Sequence, residues 1–309
     1  MTKRTIRIEN REVEIDDLTR GIKHSIDYFD CISQVCKTAD IAKKFPSLNI
    51  ILDSEHDNRA FNANGVQSAA FVDPREKNTI HIQIESIETL PPSAIKIQIA
   101  HTLTHELTHL WHEQISEYSK GMRVMNKLIE LKNTWQRESG DIKGFIYNDE
   151  YFLRCVLTSF FTKLIIEGAA DYTSYCQTGK ISFDALNARV LHFAARQQAQ
   201  EVLASLDAML LSPNIDAKVV KERLHEFMTQ TLTGQGIIGE HMIHTVLYMD
   251  KTLDFDAVLR MNYISFIKKY EECSRAAGWK PIVSVTSGLG MIDYAASIRR
   301  WLDYIGKLA

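Results

Sequence analysis

Two histidines and a glutamate stand together at His105-Glu106-Leu107-Thr108-His109, the pattern H-E-x-x-H. On a helix, residues four apart share a face, so both imidazoles can point at one spot. Neutral imidazole binds zinc well, and two of them one turn apart leave room for a third protein ligand and a water. Glu106 lies between them, able to reach that water as a general base. His101 and His112 extend the histidine run in both directions. The bland alternative is a histidine-rich surface helix.

A second stretch carries carboxylates at the same spacing: Ile165-Ile166-Glu167-Gly168-Ala169-Ala170-Asp171-Tyr172. Glu167 and Asp171 share a helix face and enclose three small residues, which let another helix approach closely. Phe160, Phe161, Leu164 and Ile165 just upstream predict a buried helix. Carboxylates there are costly unless paired or bound to a cation. A buried acid paired with Arg or Lys is the competing explanation.

These residues need elements to hold them. Ile99, Leu103, Leu107 and Leu110 form an apolar stripe opposite His101, His105, His109 and His112. Pro91-Pro92-Ser93 supplies a stop and a cap candidate, predicting a helix from about 94 to 116. Upstream, alternation over 5–15 predicts a strand or small hairpin. Asp16-Asp17 is positioned to cap a helix over 18–44, which Pro46 would end. Strands are expected at 49–52, 69–72 and 79–84, with a polar loop over 54–64. Helical periodicity dominates beyond 118, near 122–135, 151–177, 184–212, 217–231, 239–248, 255–277 and 291–308. The fold class is therefore α+β: a mixed part over 1–178 carrying the candidate ligands, and a helical part over 179–309 closing the cleft.

Composition narrows the function classes. The 309 residues are 45% hydrophobic and 24% charged, ordinary for a globular chain with an ample core. A net charge of −3 gives no reason to expect nucleic-acid or membrane affinity. Five cysteines without a C-x-x-C pair predict buried free thiols, neither a disulfide framework nor a cysteine zinc site. No secretory h-region and no bilayer-length apolar run are visible. The expected location is the cytoplasm, or outside the cell by export without a recognisable signal.

His105-Glu106-x-x-His109 followed by Glu167-Gly-x-Ala-Asp171 resembles the gluzincin arrangement of thermolysin-like zinc peptidases. It is most similar to the compact DUF2268-type zinc-dependent proteases. The resemblance covers roughly 65–172 and implies a zincin-like part with a small sheet and an active-site helix. It implies one zinc per chain on His105, His109 and Glu167, with Glu106 as general base. Asp171 would hold His105 by its other ring nitrogen, as metal-bound histidines generally require. The strand 79–84 would be the edge along which an extended peptide or protein substrate lies. The oxyanion donor that gluzincins need has candidates in His241, His244 and Tyr248.

Two departures accompany the resemblance. The interval from His109 to Glu167 exceeds that of thermolysin, which predicts an inserted flap or helix over 117–150. No H-x-x-G-x-x-H exists, which excludes the metzincin variant. His112 is then expected behind the ligands or on the surface, and His101 in a structural role. The implied activity is peptide-bond hydrolysis. One rival is a di-iron carboxylate protein using Glu106/His109, Glu167 and Glu222/His225. Another is a zincin-shaped binding protein that keeps the metal without turnover.

Overall fold

The computed structural model describes residues 2–8, 10–19, 22–54, 70–72, 76–116, 149–178 and 234–281. The alternating N-terminus forms a hairpin of β1 (Thr2–Ile8) and β2 (Arg11–Asp17), with Ile8 opposite Arg11. β2 then pairs in parallel with β3 (Ser47–Asp53), and β3 in parallel with β5 (Thr79–Gln83). A short β4 (Ala70–Val72) closes the described sheet antiparallel to β5, giving the order β1-β2-β3-β5-β4. One face is apolar: Val13, Ile15, Leu48, Ile50, Leu52, Ile80 and Ile82 are all buried. β3 is paired on both sides, and its buried Leu48, Ile50 and Leu52 alternate with half-buried Asn49, Ile51 and Asp53.

The helix expected over 18–44 begins only at Tyr28. Asp16 and Asp17 stay in β2, opposite Ile51 and Leu52 of β3, and Leu18 N–H donates to the Leu52 carbonyl at 3.0 Å. The Asp17 carboxylate accepts from the Thr19 amide at 3.0 Å and from the Thr19 hydroxyl, a local turn in place of a helix cap. Asp27 is the true cap of α1 (Tyr28–Thr38), accepting from the Asp30 amide at 3.1 Å. A short 3-10 turn, Ile41–Lys44, leads into β3.

β5 is an interior strand, so its backbone groups are committed on both sides, and it cannot be the docking edge expected of it. Among the described residues that edge belongs to β4. Asn78, at φ 53°, makes the left-handed turn into β5 that asparagine tolerates, and its carbonyl accepts from the Asn49 amide at 2.9 Å. After β5 come α2 (Ile84–Glu88), α3 (Pro92–Ile115), α4 (Asp149–Thr178), α5 (Gly234–Met249), α6 (Phe255–Leu259) and α7 (Tyr263–Ala276). The single helix expected over 255–277 is two. Asn262, in extended conformation, interrupts it and caps α7 by accepting from the Ser265 amide at 2.8 Å. The helices expected over 122–135, 184–212, 217–231 and 291–308 and the loop over 54–64 lie outside the described residues.

Contacts divide the chain into two compact units, Met1–Trp111 with Ala170–Leu191, and His112–Ala169 with His192–Ala309. The first holds the sheet. In the second, α5 packs on α7, with Met242, Ile243 and Val246 of α5 and Phe266 and Tyr270 of α7 buried. Cys31, Cys36 and Cys273 are buried free thiols as expected, whereas Cys176 is exposed. Burial pushes the Cys31 thiol up to about 11 and that of Cys36 up to about 12, so neither is a nucleophile at neutral pH. Among the described residues no helix is long and apolar enough to cross a membrane.

The second face of β5 carries a buried charge cluster. His81 is 2% exposed, with Nδ1 2.6 Å from Asp53 Oδ2 and Nε2 2.9 Å from Glu76 Oε2. Phe71 of β4 stacks on its ring at 4.7 Å. Burial disfavours the imidazolium, but hydrogen bonds and charge from Asp53 and Glu76 outweigh it and raise the pKa above the ordinary 6.5. The doubly bonded ring ties β3, β5 and the β4–β5 link together. A raised folded-state pKa means this stabilisation is complete below pH 6.5 and is lost as pH rises through the folded value. Urea midpoints measured across that range should therefore fall with pH more steeply in the wild type than in His81→Gln. Equal slopes would mean that His81 folds as the neutral imidazole.

Candidate metal centre

α3 starts two residues earlier than a Ser93 cap would allow. Pro92 occupies the first helical turn, where its missing N–H costs nothing, and the Ile95 amide donates to the Pro91 carbonyl at 3.0 Å. Ile95, Ile99, Leu103, Leu107 and Leu110 are buried along one stripe. Trp111 meets Phe45 edge-on at 6.0 Å, and Lys44 Nζ lies 5.2 Å over its ring. This anchoring turns the half-buried His101, His105 and His109 to the other side.

α4 meets that histidine side through its later turns. Asp171, 8% exposed, places Oδ1 3.1 Å from His105 Nδ1. Two positions on, the Thr173 hydroxyl is hydrogen-bonded to that of Thr108. The buried Ser174 hydroxyl lies 3.1 Å from His101 Nε2, and Tyr175 meets the His101 ring edge-on at 5.4 Å. Ala169 and Ala170 are fully buried, as a close approach requires. Thr173 and Ser174 were not picked out from the sequence. Ser174 was detectable, because Glu167, Asp171 and Ser174 form one polar stripe on an apolar helix.

The candidate ligands converge. Donor atoms of His105, His109 and Glu167 all lie within 4.8 Å of one another, and the two Nε2 atoms are 3.0 Å apart. Bonds of about 2.0–2.1 Å in a tetrahedral site put neighbouring donors about 3.3 Å apart, so two imidazoles and a carboxylate fit a zinc ion in type and spacing. Asp171 beside Nδ1 favours the tautomer of His105 that carries its proton there, which leaves the Nε2 lone pair facing His109 and Glu167. Glu106 is half-buried beside the ligands and is not one of the converging group.

The other candidates fall elsewhere. His112 is 3% exposed, so it is a buried residue and not a surface one. His101 bonds Ser174 and stacks on His105 at 6.1 Å, in keeping with a structural role. His241, His244 and Tyr248 lie on α5, where His244 stacks on the 61% exposed Tyr248 and His241 on Trp279. None of the three is in the converging group. The side chains of Phe160, Phe161 and Cys155, the segment 117–148, and Glu222 and His225 lie outside the described residues. Comparison with protein-family models, with curated proteins and with solved structures finds no match to this chain.

Proposed function

We propose that this chain is a zinc-dependent metallopeptidase of gluzincin type, binding one zinc through His105, His109 and Glu167. The observation that carries the proposal is the convergence of those three donors with Asp171 placed behind His105. The order of elements agrees with a zincin-like part: an antiparallel outer strand, the helix bearing H-E-x-x-H, then the helix bearing Glu167.

When bound, zinc lowers the pKa of a coordinated water and polarises a carbonyl. His105 and His109 offer Nε2 lone pairs, and Asp171 holds His105 in the tautomer that does so. A carboxylate oxygen of Glu106 takes the proton of the attacking water and delivers it to the leaving amine. β5 is paired on both sides among the described residues, so an extended substrate would have to lie elsewhere than along it.

The expected metal content is one zinc per chain by elemental analysis, falling below stoichiometric, with residual weak binding, in His109→Ala and in Glu167→Ala. Full zinc affinity in Glu167→Ala would require a different third ligand, and iron in place of zinc would favour the di-iron rival. Asp171→Ala should remain folded yet bind zinc about 10–100-fold more weakly, as removing the partner of a metal-bound histidine does. Unchanged affinity there would reduce Asp171 to a helix-packing residue.

Glu106→Gln separates catalysis from binding, because its amide keeps the shape but cannot accept a proton at neutral pH. Against a peptide found in a library screen of the wild type, zinc occupancy should persist while hydrolysis falls by about 10²–10⁴-fold. An untouched rate would sink the peptidase mechanism. A wild type that binds zinc and cleaves no peptide would be the zincin-shaped binding protein.

A further inference from the structure

α4 and α5 cross at a pair of glycines. A Cβ added to Gly239 would sit 1.8 Å from the Leu164 carbonyl oxygen and 2.8 Å from Gly168 Cα. One added to Gly168 would sit 2.3 Å from Gly239 C, 2.4 Å from its Cα and 2.7 Å from the Glu240 nitrogen. All of these are backbone atoms, which cannot swing aside as the end of a long side chain can. The two helices therefore touch main chain to main chain, and neither glycine leaves room for a methyl group.

Gly168 is the residue after Glu167. We infer that Gly239 is a positioning residue for Glu167: the Gly168–Gly239 crossing sets where on α4 the third ligand is presented. This rests on the zinc site proposed above and adds a residue that touches neither metal nor substrate. Two grips hold α4 at Glu167 and just after it. In the first, Leu164 and Gly168, which flank Glu167, are pressed against Gly239. In the second, which lies after Glu167, Asp171 Oδ1 comes within 3.1 Å of His105 Nδ1, and Thr173 and Ser174 are hydrogen-bonded to Thr108 and His101 of α3.

A methyl at 239 would force its own helix and α4 apart by about 1.5 Å to restore ordinary contact. The later grip holds the Asp171 end while this happens, so the displacement falls on the turn that carries Glu167. Metal–ligand distances tolerate about 0.2 Å and a functional group about 0.5 Å, so a shift of this size detaches the carboxylate. Linkage makes the effect reciprocal: a metal that holds Glu167 must in turn steady the crossing.

Hydrogen exchange on the wild-type chain tests this without a mutation at the crossing. Zinc should slow amide exchange across α5, Gly234–Met249, and the slowing should vanish in Glu167→Ala. Gly239→Ala supplies the second measurement. It should weaken zinc binding about tenfold or more in the wild-type background. In a Glu167→Ala background it should cause almost no further loss, because the ligand it displaces is already gone. A purely structural role would weaken both backgrounds alike, and that result would overturn the inference. So would a wild type that binds zinc through Glu167 with α5 exchange unchanged. A wild type that takes up no zinc, or one in which Glu167→Ala costs no affinity, would instead overturn the zinc site and this inference with it.

Discussion

A carboxylate can complete a two-histidine site only where its backbone comes within one side-chain length of the histidine helix. That constraint governs what surrounds the candidate centre. On α3, Ile99, Leu103 and Leu107 are wholly buried along the stripe opposite the histidines. On α4 the residues at the approach are Ala169 and Ala170, followed by the short polar side chains of Asp171, Thr173 and Ser174. Each of those three polar groups meets a partner on α3. A buried hydroxyl or carboxylate without a partner costs more than a bonded one gains, so these contacts fix one arrangement of the two helices over others.

The same closeness creates an electrostatic demand. Glu167 and Asp171 are one turn apart on a helix whose neighbouring residues are apolar, and like charges at that spacing repel. Asp171 is almost wholly buried, which adds a desolvation cost. Two neutral imidazoles relieve this only partly, since a neutral ring brings a dipole and no charge. A dication among Glu167, His105 and His109 would offset both costs at once. The arrangement thus has a physical reason to hold a cation that stands apart from any motif.

The local part of this was legible in the sequence, because a spacing of four on a helix depends on nothing distant. His105 with His109, and Glu167 with Asp171, lie where the 3.6-residue period puts them. What was not legible depended on strand partners. Asp16-Asp17 has good capping chemistry, but β3 supplies backbone partners that keep it extended, and the helix waits for Asp27, next to Tyr28, as its cap. β5 reads as a strand from its alternation, yet alternation does not tell an interior strand from an edge. The break at Asn262 was missed because flanking apolar periodicity runs through it. The small residues after Glu167 were rightly read as a sign of close approach, but which helix approaches Gly168 follows only from Gly239.

Donor chemistry also discriminates between the metals that such helices can hold. A di-iron site would pair Glu106 with His109 and recruit several carboxylates. Neighbouring residues on a helix are about 100° apart, so a face that presents His105 beside His109 cannot present Glu106 equally. Among the described residues the converging set contains His105 and omits Glu106. Asp171 is turned to the far nitrogen of His105, which leaves Glu167 as the one carboxylate in the set. Two imidazoles and one carboxylate make the donor set of an open zinc site, with a coordination position left for water. Glu106, adjacent in sequence, stands outside the set, which is where the proposed reading needs its general base.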